Sequence, residues 1–449
     1  MSERLVVVGG DAGGMAAATQ VRRRRPEMEI VALEKGRWTS YSACGIPYVV
    51  GGVVDALDDL VVRTPAQFRD QSNIDARMGH EAMAIDLDRR EVEVRDHDAE
   101  TTYALGFDLL HIGTGASPIR PDLPGIDGDH VHGVQTLEDG AHLLDHAESS
   151  AHANIVVVGA GYIGLEMAEA FINRGAPSVT VVEGGSEVMP TMDPDMGALV
   201  SAALRDKGVV VELERRVTGF EPGVVHTDAG SLDADLVVLG IGVGANSKLA
   251  ADAGVTTGVR DAIVVDRRQR TSADGVWAAG DCCESFHLVA NRPVHIALGT
   301  VANKQARVAG INMGGGYATF PGVIGTAVTK ICATEVARTG LSEREAERYG
   351  FSARAATIES TTRAGYYPGG GKITVKLVGE RRSGRVLGGQ IVGLEGAAKR
   401  IDVIATVVSA GMTAEQMTAL DLSYAPPFGP VWDPVLVAAR KLAETLSAE

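Results

Sequence analysis

Cysteine is scarce in this chain, with four among 449 residues. The one close pair, Cys282-Cys283, is adjacent, and adjacent cysteines rarely make a good disulfide. A disulfide framework is therefore excluded, and the count suits a reducing, cytoplasmic compartment. Positive charge is also short: 42 Lys and Arg face 58 Asp and Glu, a net charge of −16. That balance argues against nucleic acid and against anionic membrane surfaces as partners. An anionic substrate would need a local basic patch. No run of eighteen apolar residues occurs, so no membrane span is expected. No charged-then-apolar leader precedes the first strand-like run, Leu5 to Val8. What remains is ordinary globular material, 45% apolar and 22% charged. The chain is too long for one core, and two to three domains are expected. Glycine is plentiful, 55 residues, which suits a fold with many strand-to-helix turns near phosphates.

The first such turn opens the chain. Leu5-Val-Val-Val8 reads as a buried parallel strand, followed by Gly9-Gly10-Asp11-Ala12-Gly13-Gly14 and an alanine-rich helix from Met15 to about Arg24. A helix N-terminus over a glycine turn binds pyrophosphate. Asp11 stands where the G-x-G-x-x-G fingerprint has its second glycine. A second strand, Ile30 to Leu33, ends in Glu34, twenty residues beyond Gly14, where a carboxylate accepts ribose hydroxyls. A helix-capping turn with a surface glutamate is the plainer alternative. Arg22 to Arg25 close the helix, either as a solvated end that suits the dipole or as a phosphate clamp.

A stronger copy follows. Ile155-Val-Val-Val158 leads into Gly159-Ala160-Gly161-Tyr162-Ile163-Gly164 and a helix from Leu165 to Asn173, with all three fingerprint glycines present. The next strand, Val179 to Val182, ends in Glu183. A carboxylate there accepts the 2′-hydroxyl of NADH and repels a 2′-phosphate, and Gly184-Gly185 follow with no arginine, so NADH is expected over NADPH. Two such units form an internal repeat of function. Two dinucleotides imply a bound flavin and a nicotinamide donor.

Between the units, Tyr41-Ser42-Ala43-Cys44-Gly45-Ile46-Pro47-Tyr48 places one cysteine just past the first unit. Gly45 and Pro47 mark a turn or helix start. A thiol at a helix N-terminus meets the positive end of the dipole, which favours thiolate. No second cysteine lies four or five residues on, so a redox-active Cys44 needs a small thiol or an oxygen adduct as its partner. The alternative is a small buried apolar residue.

Further strands end in Thr114-Gly115, in Gly240-Ile-Gly242, and in Gly280-Asp281, where an aspartate at the sheet crevice bonds a sugar hydroxyl. A helix from Ala297 to Asn312 closes the first domain. Cys282 and Cys283 read as packing residues and Cys332 as core on an apolar strand. From about residue 318 the chain is an α+β unit without a nucleotide signature. Its strands are expected at Ala327 to Ile331, Ile373 to Val378 and Val386 to Val392. Its helices are expected at Ser342 to Tyr349, Ala397 to Ser409 and Ala414 to Leu420. It carries two aromatic loops, Tyr366-Tyr367-Pro368-Gly369 and Tyr424-Ala425-Pro426-Pro427-Phe428, and a packed loop or dimer surface is the plain reading.

These features together resemble the flavin-dependent pyridine nucleotide–disulfide oxidoreductases, and within them the coenzyme A–disulfide reductase branch with its persulfide reductases and NADH oxidases. The marks are Ser40-Tyr41-Ser42-Ala43-Cys44, Gly159 to Gly164 with Glu166, Trp277 to Asp281, the Tyr366 run and Tyr424-Ala-Pro-Pro. The resemblance covers nearly the whole chain. It implies an α/β fold: a discontinuous FAD-binding domain (1–115 and 245–317), an NAD-binding domain (116–244), both Rossmann-like, and an α+β dimerisation domain (318–449). It implies cofactor contacts at Gly9, Gly10, Ala12, Gly13, Gly14, Glu34, Lys35, Cys44, Thr114, Gly115, Gly280, Asp281 and Ala297. In the second unit it implies contacts at Gly159, Gly161, Tyr162, Ile163, Gly164, Glu183 and Gly242. Cys44 would cycle between thiolate and a mixed disulfide with coenzyme A, gripped by Gln20, Arg23 and Ser40. Tyr366 and Tyr424 would reach across a homodimer to the partner's Cys44, with Tyr424 as acid. No metal is implied. The chain departs from the branch at Ala43, Ser72, Ala302 and Trp432, where relatives carry coenzyme A contacts. It also carries Ala12 where peroxidases and oxidases have a histidine.

The expected activity is NADH-dependent reduction of coenzyme A disulfide, or a related small disulfide or persulfide. The rivals are an NADH oxidase reducing O2 at the flavin, and a redox-sensing protein that binds FAD and NADH without fast turnover.

Overall fold

The computed structural model describes residues 3–149 and 154–448. Two five-stranded parallel sheets form its centre. The first runs in the order Val276–Ala278, Leu109–Ile112, Arg4–Val8, Glu29–Glu34, Asp75–Met78. The second runs Val210–Glu212, Ser178–Val182, Asn154–Val158, Leu236–Leu239, Val131–His132. All pairings in both are parallel. Leu5, Val6 and Val7, like Val157, have no exposed surface, as expected of strands covered on both faces. Burying each such side chain is worth about 1.5–3 kcal/mol against leaving it in water.

The sheets share one chain order. Three parallel strands are followed by a three-stranded antiparallel meander, then by the strand that returns to the sheet. The meander is residues 80–106 in the first unit and 217–234 in the second. Only the fifth strand differs: residues 276–278 join the first sheet after the second unit is complete, and residues 131–132 join the second before it starts. A two-stranded ribbon, Ala116–Pro118 against Val243–Ala245, carries the chain out and back.

The last part is an antiparallel sheet in the order Ala327–Ile331, Thr334–Gly340, Val386–Gly393, Lys372–Glu380, Ala353–Thr361. Helices Ile401–Ala410 and Pro434–Ser447 supply much of its core. Two of its strands, Thr334–Gly340 and Ala353–Thr361, and the last helix were not expected from the sequence.

Several boundaries shift. The helices after the glycine turns begin at Ala12 and Tyr162, three residues before Met15 and Leu165. The last glycines of each turn are thus the first helical turn itself. A side chain at Gly14 or Gly164 would drive its Cβ to 1.8 or 2.1 Å from the carbonyl oxygen of Gly9 or Gly159. The closing helix begins at Gly299, because Leu298 is extended (φ −140°, ψ 129°), and Ala297 lies on the lead-in. Cys332 is not on a strand. It sits in the hairpin turn after Ile331 at φ +57° and is half-buried, because the apolar run ends where the chain must reverse. Among the described residues no helix is long and apolar enough to cross a membrane.

Candidate active site

The carboxyl ends of strands 4–8, 109–112 and 276–278 converge on the first glycine turn. The backbone N–H groups of Gly10 and Gly36 donate to the two oxygens of Glu34, at 2.7 and 2.8 Å. Lys35, between them, is exposed. Chain from Thr39 to Tyr41 closes over the turn. The Ser40 N–H donates to the Gly10 carbonyl at 3.0 Å, the Thr39 hydroxyl bonds the same oxygen, and the Tyr41 N–H donates to Asp11 at 3.1 Å. Burial pushes the Asp11 carboxyl up to about 6. Thr114 is held by Asn246, whose Nδ2 donates to the Thr114 carbonyl at 3.0 Å. The Gly280 N–H donates to buried Gln305 at 2.9 Å.

Asp281 follows Gly280 with its Oδ1 buried and without a partner, and burial pushes its carboxyl up. A buried acceptor left unmatched costs about 1–3 kcal/mol, and a ligand hydroxyl at this spot removes that cost. A flavin dinucleotide fits this crevice: pyrophosphate over the glycine turn, ribose at Glu34, a polyol hydroxyl at Asp281. Cys282 and Cys283 lie just behind, fully buried and free, their sulfurs 3.7 Å apart. Neither faces solvent.

Cys44 lies in a 3₁₀ turn, Ala43–Gly45, that feeds the short helix Ile46–Val50. It keeps an exposed surface. The protein around the sulfur nevertheless pushes the thiol pKa up by desolvation, and the carboxylates of Glu166, Asp281 and Asp11 push the same way. The expectation that a helix dipole favours thiolate is thus outweighed: the helix has five residues, and Cys44 precedes it within another turn. Glu166, on the helix Tyr162–Asn173, is itself pushed up by burial and accepts a hydrogen bond from the Thr329 hydroxyl.

Beside this segment lies a cleft of about 470 Å³ that reaches Ser40, four residues from Cys44. Gln20 and Arg23, which the resemblance gave with Ser40 as coenzyme A contacts, line it. So do Arg63, Lys304 and Arg307, which the sequence did not single out. Arg63 donates to Ser72 Oγ at 2.7 Å and lies over the Phe68 ring at 4.3 Å. Of the run Arg22 to Arg25, only Arg23 faces the cleft. Arg22 is spent on the carbonyls of Ser72 and Asn73, and Arg25 on Glu3. Four cations in one cleft of a chain with net charge −16 form the local basic patch an anionic substrate requires.

The second glycine turn repeats the first. The Ala160 and Gly185 N–H groups donate to the two oxygens of Glu183, at 2.9 and 2.7 Å. Gly161 caps the helix that Tyr162 and Ile163 begin, and Gly242 turns the chain at φ +100°. NADH fits this second turn as the flavin fits the first.

Tyr366 and Tyr424 meet on the C-terminal unit, 78% and 46% exposed. The Tyr424 phenol is hydrogen-bonded to Tyr366 as donor, which pushes its pKa up. The Ala364 N–H donates to the Pro426 carbonyl at 3.1 Å. Arg400, missed in the sequence, donates to the carbonyls of Thr362 and Phe428 at 3.1 and 2.7 Å and pairs with Asp433 at 2.9 Å. Both aromatic loops therefore hang on one guanidinium. No hydrogen bond among the described residues joins these tyrosines to Cys44 of the same chain. Among the described residues no group of His, Cys, Asp or Glu is placed to hold a metal.

Twin dinucleotide crevices around one accessible cysteine define a two-cofactor thiol reductase. Residues 3–306 match the pyridine nucleotide-disulphide oxidoreductase family and residues 326–434 match its dimerisation domain, so the chain belongs to that family. It is similar to the NAD(P)H coenzyme A polysulfide/persulfide reductase of Pyrococcus horikoshii, 38% identical over 98% of this chain and 99% of that protein. It is also similar to an NADH oxidase of Methanocaldococcus jannaschii, 35% identical over 99% of both chains. In structure it matches a NAD-dependent persulfide reductase from A. fulgidus with a TM-score of 0.94 and 39% identity, over 97% of this chain and 82% of that one.

Proposed function

We infer that this chain is an NADH-dependent flavoprotein that reduces a disulfide or persulfide of coenzyme A through Cys44. The observation that carries the reading is the basic cleft lined by Ser40, four residues before that cysteine in the chain. Arg23, Arg63, Lys304 and Arg307 suit the phosphates of a large anionic thiol carrier, and Ser40 joins the cleft to the segment that carries Cys44. FAD, when bound at the first glycine turn, carries the two electrons of NADH to the sulfur adduct.

Cys44 supplies the nucleophile. Its thiolate attacks one sulfur of the substrate, the S–S bond breaks, and the other half leaves as a thiolate while Cys44 holds a mixed disulfide. Two electrons then cleave that adduct and return Cys44 to thiolate. The leaving thiolate takes a proton. Tyr424 is suited to give it, because its phenol is protonated at neutral pH and held so more firmly by Tyr366. The exposed tyrosine pair is made for an environment supplied from outside the single chain. A homodimer would bring it to the partner's Cys44, and two-fold symmetry completes two sites at once.

The raised pKa of Cys44 fixes a pH dependence. Attack requires thiolate, so the rate of adduct formation rises as pH rises through the Cys44 pKa. Ala12 stands where the peroxidases and oxidases of the resembled branch carry a histidine, so that imidazole is missing from the first glycine turn.

The test compares NADH consumption with coenzyme A disulfide, with its persulfide and with O2 as sole acceptor. The reading expects one of the two sulfur substrates to dominate. Turnover dominated by O2 would overturn it in favour of an oxidase.

A further inference from the structure

We propose that Arg216 lets the second nucleotide site hold a 2′-phosphate, so that NADPH serves as donor beside NADH. The proposal rests on the reading of that site as the nicotinamide dinucleotide site and adds a specificity residue to it.

The sequence shows no arginine after Glu183, only Gly184-Gly185. The fold supplies one from a later loop. The Arg215 N–H donates to the Glu183 carbonyl at 3.0 Å, and the Glu214 N–H donates to the Gly185 carbonyl at 2.9 Å. The loop is thus pinned by backbone to the strand end where the ribose carboxylate stands. Gly184 has no side chain, and Arg216 uses the space: a Cβ built on Gly184 would lie 3.6 Å from Arg216 Cγ.

The two arginines are spent differently. Arg215 is committed to the fold, with bonds to the Thr227 hydroxyl at 2.8 Å and the Gly230 carbonyl at 3.3 Å and an ion pair to Glu212 at 3.3 Å. Arg216 is exposed and bonds only through its backbone, to Asp228 at 2.9 Å. Its guanidinium has no partner among the described residues. A planar fork of donors, on a side chain whose stem packs against Gly184 next to the ribose carboxylate, suits bidentate recognition of a phosphate.

Glu183 opposes the same phosphate, as do the carboxylates of Glu212 and Glu214 nearby. NADH therefore stays the better donor, and Arg216 sets how far NADPH falls behind.

The test uses binding rather than turnover. Titration calorimetry on the flavin-loaded protein and on R216A and R216K would employ 2′,5′-ADP and 5′-AMP as probes. They differ only in the 2′-phosphate. R216A should weaken 2′,5′-ADP about 10- to 100-fold while 5′-AMP changes no more than about 2-fold, the worth of a charge-assisted contact. R216K should retain most of the affinity, and the NADPH-to-NADH ratio of kcat/KM should fall in R216A. Equal loss for both probes, or no loss for either, would overturn the proposal. Because neither probe reports on disulfide chemistry, failure of the reductase reading would show separately, as absent turnover with unchanged binding.

Discussion

The two dinucleotide units share a backbone so closely that their divergence point can be named. Gly9 and Gly159 donate their N–H groups to the end of the second strand at 2.9 and 2.8 Å. Glu34 and Glu183 each take one N–H from the glycine turn and one from the glycine two residues on. Ser40 and Met189 then occupy the same left-handed position, φ +51° and +55°. Each donates its N–H back to the turn, to Gly10 at 3.0 Å and to Ala160 at 2.8 Å. Beyond that residue the units part. In the first, the chain runs from Ser40, which lines the basic cleft, into Cys44. In the second, it runs into Asp193 and Asp195, which meet Lys376 of the C-terminal sheet at 3.2 and 3.0 Å, with Glu343 at 3.1 Å. One frame carries chemistry at this point, and its copy carries an anchor.

Substituting at the divergence point should therefore break different things in the two units. Cys44→Ser should lower sulfur-substrate reduction by several orders of magnitude, because a hydroxyl is not ionised near neutral pH. Reduction of the flavin by NADH should persist, and anaerobic stopped-flow absorbance separates the two half-reactions. Lys376→Met should instead cost stability, about 3 kcal/mol, since it takes the ammonium from buried Asp193 and leaves only hydrogen bonds from Gln390 and the backbone to hold its charge. Denaturant unfolding reads that loss, and a change below 1 kcal/mol would remove the anchor from the account. Tyr424→Phe should slow the oxidative half-reaction about 100-fold, the usual worth of a positioned acid. Flavin reduction should be spared in the same stopped-flow traces. The smallest effect is expected of Glu166→Gln. Removing a negative charge that pushes Cys44 up lowers the thiol pKa. The rising limb of the pH profile for adduct formation should then move to lower pH, and a shift to higher pH would contradict the assignment.

Much of this was legible in the sequence because it is local. Glycine turns, apolar strands and the terminal glutamates are written in consecutive residues, and the cysteine stands in a recognisable segment. What was not legible depends on chain brought from afar. Arg63 reaches the cleft from one part of the chain and Lys304 and Arg307 from the helix Gly299–Met313, and Arg216 arrives at Glu183 from a later loop. The sign of the Cys44 shift was missed for the same reason: desolvation, its main cause, comes from the folded surroundings, and Glu166 and Asp281 come from distant parts of the chain. Strand Thr334–Gly340 was hidden by Glu335 and Arg338, charges that a strand buries only when paired, as Arg338 is with Glu345 at 2.8 Å. The last helix was legible but overlooked: Asp433 caps it, its Oδ1 accepting the Val435 N–H at 3.0 Å, and Pro434 opens its first turn. Cys332 was misplaced because an apolar run gives no sign of where a hairpin turns.

The central claim is that one cysteine carries the substrate's sulfur while the other three are bystanders. It is tested most directly by mixing the reduced protein anaerobically with one equivalent of coenzyme A disulfide, quenching with acid and mapping peptides by mass spectrometry. The account predicts a coenzyme A adduct on the peptide of Cys44 alone, discharged by added NADH, with Cys282, Cys283 and Cys332 unmodified. An adduct on any of those three, or none on Cys44 while substrate is consumed, would contradict it.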